Sequence, residues 1–121
     1  MFIQIEDPSD LPRPPEEVQI RSLDIEPYPD GRRLRVSMEL TPFLEPPDLA
    51  LRVLDEQGEE EADVSIISAQ QTRLSLTVHL RSRELIGDYI IEAVILYDDL
   101  GQVSRFERAI ELPMENTNDP A

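Results

Sequence analysis

The chain has 121 residues, a formal net charge of −15 and no cysteine. That length allows one domain with a real core, burying roughly two-thirds of the surface its unfolded chain would expose. The missing cysteine removes disulfides, thiolate chemistry and sulfur-based metal sites. The acidic balance opposes nucleic acid and anionic membrane surfaces, where clustered cations supply the affinity.

All 11 basic residues are arginine, whose planar guanidinium forms bidentate pairs with carboxylates and suits a surface held by ion-pair networks. Met1 to Pro8 lacks the basic start and long apolar stretch of a secretory signal. No later segment approaches the roughly 18 apolar residues of a membrane span. The expectation is a soluble, cytoplasmic protein.

Residues 1–16 are expected to form a short apolar arm, Phe2 to Ile5, and a proline-rich spacer. Pro8, Pro12, Pro14 and Pro15 hold the spacer extended, so the arm can add a strand to its own sheet edge or to a neighbour's. The Pro12-x-x-Pro15 spacing is also that of ligands for proline-recognising domains, but in such a spacer the match carries little.

From Glu17 the pattern has period two, the signature of strands. Val18 and Ile20 alternate, then Leu23 and Ile25 continue on the opposite parity, which predicts a bulge near Arg21-Ser22 that lets the first strand change sheets. Pro27 to Gly31 is a turn. Leu34, Val36, Met38 and Leu40 then oppose Arg33, Arg35, Ser37 and Glu39, a half-buried antiparallel strand. Leu49, Leu51 and Val53 mark the third strand, closed by the hairpin turn Asp55-Glu56-Gln57-Gly58. Ala62, Val64 and Ile66 make a fourth, edge-like after the acidic run Glu59 to Glu61. Leu74, Leu76, Val78 and Leu80 face inward in the fifth.

The sixth, Tyr89 to Tyr97, is too short and too β-branched for a helix buried on all sides and reads as a central strand covered on both faces. Phe106, Ile110 and Leu112 carry the seventh. Residues 17–113 thus form a two-sheet sandwich, and 114–121 a flexible tail.

Gly87-Asp88-Tyr89, followed by alternating apolar residues and Asp98-Asp99-Leu100-Gly101, resembles the sixth strand of bacterial immunoglobulin-like and fibronectin type III-like domains. Leu51 to Gly58 is similar to their third strand and hairpin. The resemblance implies an all-β, seven-stranded antiparallel immunoglobulin-like β-sandwich with an N-terminal extended arm. It makes Tyr89 the tyrosine whose hydroxyl ties a corner to backbone upstream. The cysteine pair and core tryptophan of true immunoglobulin domains are missing, and such a superfold fixes no function.

No catalytic, cofactor or metal residue emerges. His79, the single histidine, alternates outward among Arg73, Thr77 and Arg81. Ser65, Ser68, Ser75 and Ser104 therefore have no second histidine to serve as base. Asp98-Asp99 and Asp55-Glu56 invite a calcium reading, but turn chemistry alone accounts for Asp and Gly there. Glu59-Glu60-Glu61 reads as a solvated, self-repelling guard on an edge strand. Tyr28 is left as a lone aromatic platform for a sugar.

The parity that sends Tyr89, Ile91, Ala93, Ile95 and Tyr97 to the core turns Ile90, Val94 and Leu96 outward. Ala50 and Leu54 join them from the third strand, Val103 and Ala109 from the seventh, as one contiguous apolar patch. Arg52, Glu92, Arg105 and Glu107 surround it as paired charges. The covering could be a partner or the chain's own arm. The sequence therefore predicts a non-catalytic protein-interaction or structural module that forms a homodimer through this face, with no cofactor. The alternative is a small intracellular enzyme regulator, such as a protease inhibitor on the same scaffold, binding through loops 42–47 or 83–87.

Overall fold

The structure, a computed structural model, describes residues 11–82 and 85–112. The Phe2–Ile5 arm and the tail from 114 lie outside the described residues. A 3-10 turn, Pro15–Glu17, leads into seven strands: β1 Ile20–Pro27, β2 Arg33–Leu40, β3 Asp48–Leu54, β4 Glu60–Ile66, β5 Arg73–His79, β6 Gly87–Tyr97 and β7 Gly101–Leu112. They form two antiparallel sheets, one in the order β1-β2-β5, the other β4-β3-β6-β7. The fold is an all-β sandwich in which β4 joins the larger sheet.

Alternation decides which side chains meet. In β2, Leu34, Val36, Met38 and Leu40 are buried, and in β3 Leu49, Leu51 and Val53 oppose them from the other sheet. Arg33, Arg35 and Glu39 point to water because period two leaves them no alternative. β6 lies between β3 and β7, and five successive residues, Ile91 to Ile95, are buried. A run of that kind requires cover on both faces. The core supplies it for Ile91, Ala93 and Ile95; Glu92 and Val94 are covered from outside.

The expected bulge in β1 is present between Ile20 and Ser22. It bends the strand without moving it to the other sheet, since β1 pairs with β2 on both sides of the irregularity. Along the β1 and β7 margin the sandwich is closed by Arg108. This residue stands opposite Ile91, on the inward parity of β7. Its guanidinium crosses to the Leu23 carbonyl of β1 and lies 3.8 Å from Asp24 Oδ1.

The strand directions define two ends. The lower end carries residues 11–18, the β2–β3 loop, the β4–β5 loop and the β6–β7 turn; the upper end carries the β1–β2, β3–β4 and β5–β6 connections. Gly58 at the β3–β4 turn has φ +81°, a backbone shape that side chains with a Cβ resist.

Burial of β6 yields a direct check. Ile91 is fully buried and Ile90 is 41% exposed. Ile91→Ala should lower the urea-unfolding free energy by about 2–5 kcal/mol, and Ile90→Ala by less than about 1 kcal/mol. Equal losses would mean that the parity of β6 is wrong.

Candidate functional site

Residues paired across antiparallel strands share a face, so the register lays out the outer surface of the larger sheet in rows. Ala50 pairs with Val94 and Val94 with Arg105; Arg52 with Glu92 and Glu92 with Glu107; Leu54 with Ile90 and Ile90 with Ala109. The middle row is charged, so the apolar residues do not make one contiguous patch. They fall into an upper row, Leu54–Ile90–Ala109, and a lower group of Ala50, Val94 and Leu96.

The charged row is an ion-pair ladder spanning all four strands. Arg52 Nη1 lies 3.3 Å from Glu60 Oε1, and its Nη2 and Nε lie 2.8 and 3.3 Å from Glu92 Oε1. Glu92 Oε2 accepts from Arg105 Nη2 at 2.6 Å, and Arg105 also pairs with Glu107. Charge alternates along the row, with Glu92 at its centre and only 10% of its side chain exposed. The hydrogen bonds to Glu92, then those to Glu60, push the Arg52 pKa further up.

Of the seven residues expected on this face, Ile90 and Ala109 are exposed, and Ala50, Leu54 and Leu96 are half-buried. Val94 is only 9% exposed although it stands apart from the core cluster. Its cross-strand neighbour Arg105 supplies an aliphatic stem that can lie over such a position. Val103 belongs elsewhere. Ile95 pairs with Ser104 and Leu96 with Gln102, which leaves Val103 as the extra residue of a bulge, packed against the core. A bulge re-aims one side chain, and period-two counting cannot foresee it.

At the upper end the exposed row meets a shallow depression of about 520 Å³, lined by Asp55, Glu56, Asp88, Tyr89, Ile90, Ala109, Ile110 and Glu111. Its carboxylates are partly committed to backbone. Asp55 Oδ1 accepts from the Gln57 and Glu59 amides at 2.9 and 2.8 Å. Glu56 Oε1 accepts from the Asp88 amide at 3.1 Å. Gly87 has φ +117°, a backbone shape that side chains with a Cβ resist, and a Cβ there would stand 3.1 Å from Glu56 Oε1, which would have to give way slightly.

The two acidic turns do not converge on a cation. Asp55-Glu56 sits at the upper end and Asp98-Asp99 at the lower, separated by the length of β6, about 30 Å at ~3.3 Å per residue. Among the described residues no group of three or more potential metal ligands gathers.

Other expected features are also relocated. Within Glu59-Glu60-Glu61 only Glu59 is an exposed guard. Glu60 belongs to the ladder, and Glu61 is buried, accepting from the Ser82 amide at 2.9 Å and from Ser82 Oγ at 2.5 Å. Tyr28 already stacks with the Arg33 guanidinium, 4.4 Å from its ring centre, and its hydroxyl is hydrogen-bonded to Thr77 Oγ1 at 2.9 Å. Tyr89 is buried, and burial is the main cause that raises its pKa. The long-range tie that sequence reading missed is Tyr97, whose hydroxyl donates to the Glu45 carbonyl at 2.8 Å. His79 is exposed on β5, as its alternation requires.

No protein-family model and no curated protein matches the sequence. Solved structures with a similar fold include a β-glucuronidase of Bifidobacterium dentium, with a TM-score of 0.60 at 12% identity over 78% of this chain. A glycosyl hydrolase family 2 member of Bacteroides cellulosilyticus gives 0.60 at 13% identity over the same share. This chain spans 18% and 14% of the lengths of those two chains. At such identities the likeness is one of fold: the chain resembles a domain-sized β-sandwich within much larger proteins.

Two measurements check the geometry of this face. Glu92→Ala leaves two guanidiniums without their shared acceptor and should cost about 1–3 kcal/mol in urea unfolding. Glu107→Ala, at the exposed end of the ladder, should cost less, and equal effects would mean that Glu92 is not the hub. Burial, reinforced by Glu45, raises the pKa of Tyr97 above the ordinary tyrosine value of 10.0. The folded state therefore holds that proton more tightly than the unfolded one. Stability from this source is complete below pH 10 and is lost as pH rises through the folded value. Tyr97→Phe should flatten that alkaline loss in a pH series of thermal melts; an unchanged slope would contradict the assignment.

Proposed function

We propose that this chain is a non-catalytic interaction module that self-associates through the upper part of the larger sheet's outer face. The observation that carries this reading is the row Leu54–Ile90–Ala109, with Ile90 41% exposed, lying directly beside an ion-pair ladder already satisfied within the chain. A partner seated there covers apolar area and meets charges that already have their counter-charges. It therefore does not strand an unpaired ion, the costly event at interfaces. Ile86, 75% exposed at the same end, extends the apolar area.

Magnitudes limit the affinity. Full burial of an isoleucine is worth roughly 1.5–3 kcal/mol, whereas association costs about 4–15 kcal/mol. A few such residues support weak pairing, with a dissociation constant of about micromolar or above. The carboxylates of Asp55, Glu56, Asp88 and Glu111 line the depression beside the row. Two copies meeting here bring like charges together, on chains that each carry −15. Repulsion of this kind is screened by salt.

Loop 42–47 and residues 85–87 lie at opposite ends of the sandwich, so the loop-binding alternative would use one or the other. They cannot form one binding edge.

Light scattering across a concentration series tests the reading. The expected result is a concentration-dependent dimer that strengthens as salt rises from about 0.01 to about 1 M, over which the Debye length shrinks from ~30 to ~3 Å. Ile90→Asp should weaken the dimer about tenfold or more with the melting temperature nearly unchanged. Val94→Asp is not a substitute, since that buried site would report on folding. A strict monomer at all concentrations and salts would overturn the proposal.

A further inference from the structure

β4 and β5 are edge strands of different sheets and share one margin of the sandwich. Charge separates them. Of the 121 residues 26 are acidic, yet residues 64–83 contain no aspartate or glutamate, and β5 lies within that stretch. Every other edge strand carries carboxylates: Asp24 and Glu26 in β1, Glu60, Glu61 and Asp63 in β4, Glu107 and Glu111 in β7. In a chain of net charge −15, the β5 edge alone has the opposite sign.

The side chains of β5 sort by parity. Leu74 and Leu76 pair with Met38 and Val36 of β2 and face inward, half-buried at the margin. Arg73, Ser75, Thr77 and His79 are exposed on the outer face of the smaller sheet, and Arg81 is exposed just beyond the strand. The carboxylates of that face, Asp24, Glu26 and Glu39, stand on β1 and β2, away from the β5 edge. Arg33 is neutralised by Asp30 at 2.7 Å. Arg73 and Arg81 are not neutralised: among the described residues neither guanidinium has a hydrogen bond or an ion pair. Glu39, opposite Arg73 in the register, lies instead 3.8 Å from Arg21. The backbone of β5 is also open on one side, since it pairs with β2 alone and, among the described residues, no group outside that strand bonds to the backbone of Arg73–His79.

We propose that the β5 edge accepts an extended acidic segment of another protein as a fourth strand of the smaller sheet. Its backbone takes up the open donors and acceptors of β5, the way an edge gains affinity, while alternate side chains give specificity. Apolar side chains on its inner side lie beside Leu74 and Leu76. Carboxylates on its outer side meet Arg73, Arg81 and the hydroxyls between them. The charge selects the occupant, because a cationic edge repels a second copy of itself and draws an acidic strand from solution. This site uses neither the strands nor the face of the proposed dimer, so either reading can fail alone.

The probe is a short synthetic peptide alternating valine and glutamate, titrated into the full chain at about 0.01 M salt. Amide signals of β5 should shift and their hydrogen exchange should slow, with those of β7, the opposite edge, unchanged. Raising salt to about 1 M should weaken this binding tenfold or more, the reverse of the salt response expected for the dimer. Arg73→Gln combined with Arg81→Gln, both at exposed positions, should weaken it about tenfold, with unperturbed β6 signals reporting an intact fold. The same peptide with lysine in place of glutamate should leave β5 unshifted. No shift in β5 at millimolar peptide, equal binding of the lysine peptide, or indifference to the arginine substitutions would each overturn the proposal. So would β4 and β5 signals that shift together with protein concentration alone, since the occupant is then β4 of a second copy.

Discussion

Glu92 held between Arg52 and Arg105 is the interaction on which the larger sheet's outer face depends. β6 is the most enclosed strand of the molecule, and period two forces every second residue of it away from the core. An apolar residue at position 92 would extend the exposed surface from Leu54 and Ile90 down to Val94 without a break. A lone carboxylate there would be a poorly solvated charge. Two arginines from the flanking strands resolve both problems, because their guanidiniums satisfy the carboxylate and their stems cover neighbouring apolar surface. Single surface ion pairs contribute little. Here the central carboxylate is nearly buried and four strands are linked through it, so the ladder also orders the sheet.

The same economy of carboxylates recurs at the upper end, where an excess of acid would be expected only to repel. Glu61 turns inward to clamp Ser82, Asp55 organises its own hairpin, and Glu56 caps the Asp88 amide. Each accepts backbone donors that would otherwise lack partners at the strand ends. The net charge of −15 is thus not spread evenly over a solvated shell; part of it does structural work in place of the lysines and disulfides that the chain lacks. At the lower end Asp48 plays this part, accepting from the Ser68 amide at 2.8 Å, where Ser68 holds a left-handed φ of 52°.

Sequence periodicity was sufficient for all seven strands, the bulge in β1 and the inward set of β2, β3 and β6, because each depends on short-range alternation alone. It also grouped Arg52, Glu92, Arg105 and Glu107, since parity gives the face. What it could not supply was order along the face. Whether Glu92 stands beside or inside the apolar residues depends on inter-strand register, and register is set by hairpin geometry rather than by pattern. Val103 failed for a related reason, a bulge that shifts parity within one strand. Glu61 and Arg108 were illegible because their partners, Ser82 and the Leu23 carbonyl, are remote in sequence. Tyr97 and Tyr89 both read as core tyrosines; only the β2–β3 loop's approach to the lower end distinguishes the one that makes a bond across 52 positions.

The two uncovered apolar regions differ in kind. The row at Leu54, Ile90 and Ala109 lies on a paired, hydrogen-bonded sheet face, so an occupant gains only side-chain contact and must align rigidly with a flat surface. The lower β4 and β5 margin offers unpaired strand edges in addition to Val64, Ile66, Leu74 and Leu76, so an occupant there gains backbone hydrogen bonds as well as burial. Edge geometry therefore favours an extended strand at the margin, and face geometry favours a folded surface at the row.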